Sequence, residues 1–218
     1  LRAQLAAEVP GFRIEDVAPR GDAARWSRSD ALALPAAREA LAEARVTADL
    51  PVDLIIGGTT GGLFLTEGKV ARLHGPLQAG GEAAAEALRA AAKDEALRSH
   101  PVCATADRLF EAAHRFGRTR TLCSACSSSA NAIAMADAWI RAGKSERVLA
   151  GGTDALCRLT HVGFNLLQAM DPAPCKPFDA KRAGTVATVK SAASQMAFSS
   201  CRADVSSRLD DAMSSAMV

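Results

Sequence analysis

Residues 119–142, TRTLCSACSSSANAIAMADAWIRA, constrain this chain more than any other stretch. Thr119, Thr121 and Leu122 suit a strand. Residues 123–129 are all small and predict a tight turn with Cys126 in its middle. From Ala130 the residues favour helix, and Ile133, Ala134, Ala136, Ala138, Trp139, Ile140 and Ala142 leave few polar positions. A helix that is apolar nearly all round is expected to be buried and central. A cysteine at the mouth of such a helix has a partial positive charge to favour its thiolate. It also has backbone N–H groups facing any oxyanion that forms beside it. Those are the requirements of an acyl-transfer nucleophile. The alternative is that Cys126 is a small buried hydrophobe, as free cysteines often are.

The surrounding motifs favour the first reading. Residues 125–133 read ACSSSANAI, residues 148–154 read VLAGGTD, Gly163-Phe164 follows, and Pro177-Phe178-Asp179 precedes Arg182 and Gly184. With this order and spacing the chain resembles the beta-ketoacyl synthases of fatty-acid and polyketide synthesis over about residues 24–184. The resemblance implies an α/β fold of the thiolase-like layered type, represented by its N-terminal half. Its sheet is expected to be mostly parallel, with the buried central helix following the nucleophile.

The same resemblance implies 3-oxoacyl synthesis. An acyl group passes from the phosphopantetheine of an acyl carrier protein to Cys126, and a malonyl-carrier partner then decarboxylates and attacks the thioester. No metal and no redox cofactor take part in the family. Phe164 falls where the family carries an acyl-pocket phenylalanine, and a core role for it stays open. The family dimerises through the strand before the nucleophile, which makes residues 119–122 the expected interface, in a homodimer or with a complementary ketosynthase half. The two histidines and the lysine that serve condensation in the family lie in a second half whose motifs this sequence lacks. The enzyme reading therefore stands beside a non-catalytic remnant or pairing subunit, and beside a thiol hydrolase or simple acyltransferase on the same fold. None of His74, His100, His114 and His161 matches a family motif.

Composition narrows the field. The 218 residues are 49% hydrophobic, enough for one sizeable core or two small ones. Twenty-six basic against 24 acidic residues give a net charge of +2, and aromatic content is 4% with no Tyr. Neither the charge nor the aromatic content suits a nucleic-acid surface. No apolar run reaches the roughly 18 residues of a membrane span. The start has no basic region followed by an apolar one, so a signal peptide is not expected, and without a Met it need not be the natural start. The six cysteines form no disulfide framework, and the setting expected is soluble, reducing and cytoplasmic. Cys123 and Cys126 make a Cys-x-x-Cys, but no second pair completes a zinc site, and Cys123 is read as structural.

Elsewhere the pattern predicts an irregular segment over 1–25 and a helix over 26–45 that is kinked or started late by Pro35. Leu32, Ala36, Ala37, Ala40, Leu41 and Ala44 form its apolar face. A buried strand is expected at 52–57, followed by the glycine loop 57–62, GGTTGG. Its spacing fits neither a Walker motif nor a dinucleotide fingerprint, so it is read as a tight turn against another backbone. Helices are expected at 80–98 and 105–115, the second capped by Thr105, exposing Arg108 and Glu111, and ended by Gly117. Gly143 ends the long helix. A second buried strand follows at 147–152, then a helical segment at 160–170. Strand, helix, strand in this order implies parallel crossovers. The ketosynthase domain is expected to span 1–184. Residues 185–218 hold eight serines and neither glycine nor proline, a change of character that marks a divergent tail. That tail is either a natural segment, helical over 207–218, or the product of a truncated, rearranged or frameshifted reading frame.

Overall fold

Two strands buried on both faces carry the architecture. The computed structural model describes residues 6–7, 9–174, 176, 179–181, 183–184, 187–188 and 197–200. Strand β1 (Ala6–Ala7) is followed by two short 3-10 turns, Ile14–Asp16 and Ala23–Arg25. Next come α1 (Arg28–Glu43), β2 (Asp53–Gly57), α2 (Leu63–Ala79), α3 (Gly81–Ala92), α4 (Ala104–Ala112), β3 (Thr119–Leu122), α5 (Ser128–Arg141), β4 (Arg147–Gly152) and α6 (Arg158–Leu166). Strands β5 (Ala187–Thr188) and β6 (Ala197–Ser200) close the described chain.

The main sheet has the order β3-β2-β4-β6. Strands β3, β2 and β4 are parallel, while β6 runs antiparallel along β4. The short strands β1 and β5 pair parallel in a sheet of their own. A mostly parallel sheet was expected. The pairing of β6 beyond Gly184 was not, because its sequence carries none of the apolar signal of β2 and β4. The helix expected over 207–218 lies outside the described residues.

Alternation sorts the strand side chains into two cores. On one side Leu54 and Ile56 of β2 and Leu149 of β4 pack with Trp26, Leu34, Ala37 and Leu41 of the α1 region and with Leu109 of α4. On the other side Ile55, Val148 and Ala150 pack with Ala132, Ile133, Ala136 and Ile140 of α5. Each fully buried Leu or Ile contributes on the order of 1.5–3 kcal/mol of transfer free energy. The sheet is therefore a filling between α1 with α4 and α5, as its near-continuous apolar strands require.

Several expectations need correction. Helix α5 is buried along one face, through Ser128, Ala132, Ile133, Ala136 and Ile140, whereas Ala130, Asn131, Ala134 and Ala138 are exposed. It is not buried all round. Alanine is a helix former as well as a hydrophobe, so an alanine-rich helix does not reveal how many of its faces are covered. Helix α2 had no sequence signal; it contains Gly68, Gly75 and Pro76, and only its docking on α3 and α6 overrides that poor propensity. Gly80, at φ +68°, separates α2 from α3. The helix expected over 80–98 ends at Ala92, and Glu95–Ser99 is a 3-10 turn. Pro35 sits inside α1 and does not delay its start; Ser27 caps that helix in a reciprocal box with Asp30.

Thr105 does not cap α4. Its hydroxyl donates to the Asp30 carboxylate at 2.6 Å, inside the protein. Arg108 is buried and pairs with the exposed Glu111 at 2.8 Å. Gly117 lies past the end of α4 at Ala112, where its backbone passes Asp53; a β-carbon there would be 2.8 Å from the Asp53 carboxylate.

Candidate active site

Three loops meet where the parallel strands end, and each follows one of those strands. After β2 comes the glycine loop, after β3 the Cys126 turn, and after β4 the segment beginning at Thr153. Glycines let them meet. A β-carbon on Gly152 would stand 2.7 Å from the Gly57 carbonyl oxygen, and one on Gly61 would stand 2.6 Å from the His100 carbonyl oxygen. The glycine loop is thus a tight turn against other backbone.

The Cys126 turn is held by its own polar residues. Ala125 adopts φ +55°, a left-handed conformation that costs an L-residue with a β-carbon about 1–2 kcal/mol. Its carbonyl oxygen accepts the Ser128 hydroxyl at 2.6 Å, the Ser128 amide at 3.0 Å and the Thr59 hydroxyl at 2.9 Å. The Ser124 amide donates to Ser128 Oγ at 2.9 Å. The Ser127 hydroxyl donates to the Ser124 carbonyl at 2.8 Å, and Asn131 Nδ2 donates to Ser124 Oγ at 2.7 Å. Cys126 stands exposed in this frame, two residues before α5 begins. It therefore lies beside the unsatisfied N–H groups at the start of a 14-residue helix.

The glycine loop is fastened to the third loop by Asp154. Its carboxylate accepts the Thr59 amide at 2.9 Å, the Thr60 amide at 2.8 Å and the Thr60 hydroxyl at 3.0 Å. Behind them the Thr153 hydroxyl donates to the Ser29 carbonyl at 3.0 Å, and the Ser29 hydroxyl donates to the Gly61 carbonyl at 2.9 Å. Sequence reasoning quoted both Thr59-Thr60 and Asp154 within motifs but gave neither a role. An aspartate two residues after the buried Gly151-Gly152 strand end was the available signal.

Phe164 lies half-buried on α6, and among the described residues it makes no ring contact or hydrogen bond with the Cys126 turn. Glu67 of α2 holds the start of α6 by accepting the Arg158 amide at 2.9 Å and the Leu159 amide at 3.3 Å. Cys123 is exposed, not packed as a structural cysteine would be. Among the described residues no group of three or more His, Cys, Asp or Glu is placed to hold a metal ion. None of the four histidines is hydrogen-bonded to the Cys126 turn. His100 Nδ1 is 2.6 Å from the Thr66 hydroxyl, His114 Nε2 is 3.1 Å from the Leu50 carbonyl, and His74 is exposed on α2. His161 sits on α6, its amide bonded to the Cys157 carbonyl. Pro177, Phe178 and Arg182 of the closing motif lie outside the described residues; the Asp179 carboxylate accepts the Lys181 amide.

Comparison with known proteins places this arrangement. The family profile described as beta-ketoacyl synthase, N-terminal domain, matches residues 13–188. Nodulation protein E of Rhizobium meliloti is 42% identical over 64 residues, which cover 29% of this chain and 16% of that protein. Among solved structures, a beta-ketoacyl synthase from Burkholderia phymatum superposes with a TM-score of 0.67 at 24% identity, covering 91% of this chain and 47% of that one. The ishigamide ketosynthase/chain length factor gives 0.64 at 24% identity over 81% of this chain and 42% of that one. A type II PKS acyl-carrier protein in complex with its ketosynthase, bound to the hexaketide, gives 0.64 at 17% identity over 90% and 52%. At these identities the structures establish the fold alone. The chain spans about half the length of the solved structures it matches.

Proposed function

From the premise that this chain belongs to the beta-ketoacyl synthase family, matching its N-terminal domain over residues 13–188, we propose that Cys126 is the acyl-accepting nucleophile of a condensing acyltransferase. One observation carries the reading. Cys126 is exposed directly after a left-handed residue, at the start of α5 and at the ends of three parallel strands. Its thiolate attacks the carbonyl carbon of a thioester. The new S–C bond forms as the carrier's C–S bond breaks, and the phosphopantetheine thiolate leaves and takes up a proton. This is nucleophilic substitution with no net redox change, so it needs no metal or redox cofactor. Condensation in fatty-acid or polyketide synthesis follows when a malonyl unit loses CO2 and its carbanion displaces Cys126 from the acyl group.

The second step calls for imidazoles near the thiolate, and none of the four histidines of this chain is hydrogen-bonded to the Cys126 turn. We therefore assign the first half-reaction to this chain and the condensing imidazoles to residues beyond it. The partners proposed are an acyl carrier protein and a second ketosynthase chain or half. They are supported by the carrier and chain-length-factor complexes among the similar folds, and by the outer edge of β3, with which no strand pairs among the described residues. Phe164 is assigned to the acyl-chain pocket. Residues 1–184 form the ketosynthase N-terminal domain, residues 185–218 form a tail that lends the sheet an edge strand, and the setting is cytoplasmic.

Intact mass after incubation with an acyl carrier protein bearing an acyl-phosphopantetheine tests the proposal. A gain of one acyl group that Cys126→Ala abolishes is the expected result. A folded wild-type chain that gains no mass favours a non-catalytic pairing subunit.

A further inference from the structure

Two threonines and one aspartate, far apart in sequence, reach the Cys126 turn through a continuous set of hydrogen bonds. Asp154 accepts three donors from the Thr59-Thr60 segment, and Thr59 passes the restraint on by donating its hydroxyl to the Ala125 carbonyl at 2.9 Å. We infer that Asp154, acting through Thr59, is a positioning residue for Cys126. The inference rests on the acyl-transfer reading of that cysteine.

The geometry explains how so small a contact has leverage. The Ala125–Cys126 peptide is trans, because the described chain has no cis bond. In a planar trans peptide the N–H points opposite to the C=O. Three donors, from Thr59 and Ser128, hold the Ala125 oxygen on one side, so the Cys126 amide is aimed to the other. An oxyanion formed on a thioester at Cys126 draws its donors from amides of this kind. Ala125 is also held at φ +55°, a conformation that persists only where its surroundings impose it. Ser128 is part of α5 and follows that helix. Thr59 is the restraint from outside the turn, and it is exposed. Without Asp154, the Thr59 and Thr60 amides lose their acceptor and the loop has no reason to keep the Thr59 hydroxyl over Ala125.

The test uses Thr59→Val, which keeps the shape and removes the donor, Thr59→Ser, which restores it, and Asp154→Ala, which removes the acceptor. Two rates are read on the full chain. One is acyl loading of Cys126 from an acyl-phosphopantetheine carrier. The other is alkylation of Cys126 by iodoacetamide across pH, resolved by peptide mass spectrometry with the exposed Cys103 as internal reference. Thr59→Val and Asp154→Ala are expected to slow both at Cys126 by roughly three- to thirtyfold, the rate equivalent of one or two lost hydrogen bonds. Cys103 stays unchanged, and Thr59→Ser returns to within about twofold of wild type. Wild-type rates at Cys126 in a folded Thr59→Val variant overturn the inference, and so does failure of Thr59→Ser to rescue. A wild-type chain that never loads acyl groups, yet loses Cys126 alkylation in Thr59→Val, refutes the acyl-transfer reading and upholds the positioning role.

Discussion

Gly57 and Ser129 meet backbone to backbone: a β-carbon on Gly57 would lie 2.6 Å from the Ser129 nitrogen, and closer still to the Ser128 carbonyl group. The last residue of β2 therefore touches the first turn of α5 with no room for a side chain. A real β-carbon does not approach a backbone nitrogen so closely. Gly57→Ala must push the start of α5 away from the sheet, and with it the Cys126 turn. Urea denaturation is expected to show a loss of about 1–3 kcal/mol, the usual cost of overpacking a filled site. Acyl loading should fall further than stability alone explains. A variant as stable and as readily loaded as wild type means that α5 does not sit where this contact requires.

Asp30 gives stability a dependence on pH. Burial, the largest cause, pushes its carboxyl above the usual range, partly offset by hydrogen bonds from Thr105 and Ser27 and by the charge of Arg108. The folded protein thus holds this proton more tightly than the unfolded chain, whose aspartates titrate near about 3.9. The stabilisation is fully present below that value and is lost as pH rises through the raised folded one. Asp30→Asn cannot titrate. The stability of wild type minus that of Asp30→Asn is therefore expected to decline as pH rises from about 4 towards neutrality. Urea titrations of both proteins at several pH values measure it, and a flat or rising difference contradicts the assignment.

Among the described residues no strand pairs with the outer edge of β3. The Arg118 and Leu122 carbonyls accept from Leu54 and Gly58, so those residues face β2. By alternation Thr119 and Thr121 present their backbone groups outward. Thr121→Pro removes an outward N–H while sparing the ladder to β2. If a second ketosynthase chain pairs here, sedimentation velocity should show wild-type dimers and monomeric Thr121→Pro at the same concentration. An unchanged dimer moves the interface away from this edge.

What the residues alone determined was local. Short apolar runs ending in glycine marked β2 and β4 because a strand buried on both faces must be apolar at every position. Small residues between a strand and an alanine-rich segment marked the Cys126 turn, because only small side chains pass through so tight a bend. The glycine stop at Gly143, at φ +64°, was legible because glycine takes a left-handed conformation without steric cost; the one cap expected, Thr105 on α4, was not borne out. Tertiary structure decided what lay across the sheet. Ser27 and Asp30 reveal a capping box by their spacing, but nothing nearby in sequence reveals that Asp30 also receives Thr105. Asp154 lies 95 residues from Thr59, and the two meet only because parallel strands bring every strand end to the same edge. Helix α2 forms against its own poor propensity because α3 and α6 pack on it. The exposed face of α5 was equally hidden. Hydrophobic periodicity reports which residues can be buried, and only the arrangement of the layers decides which of them are.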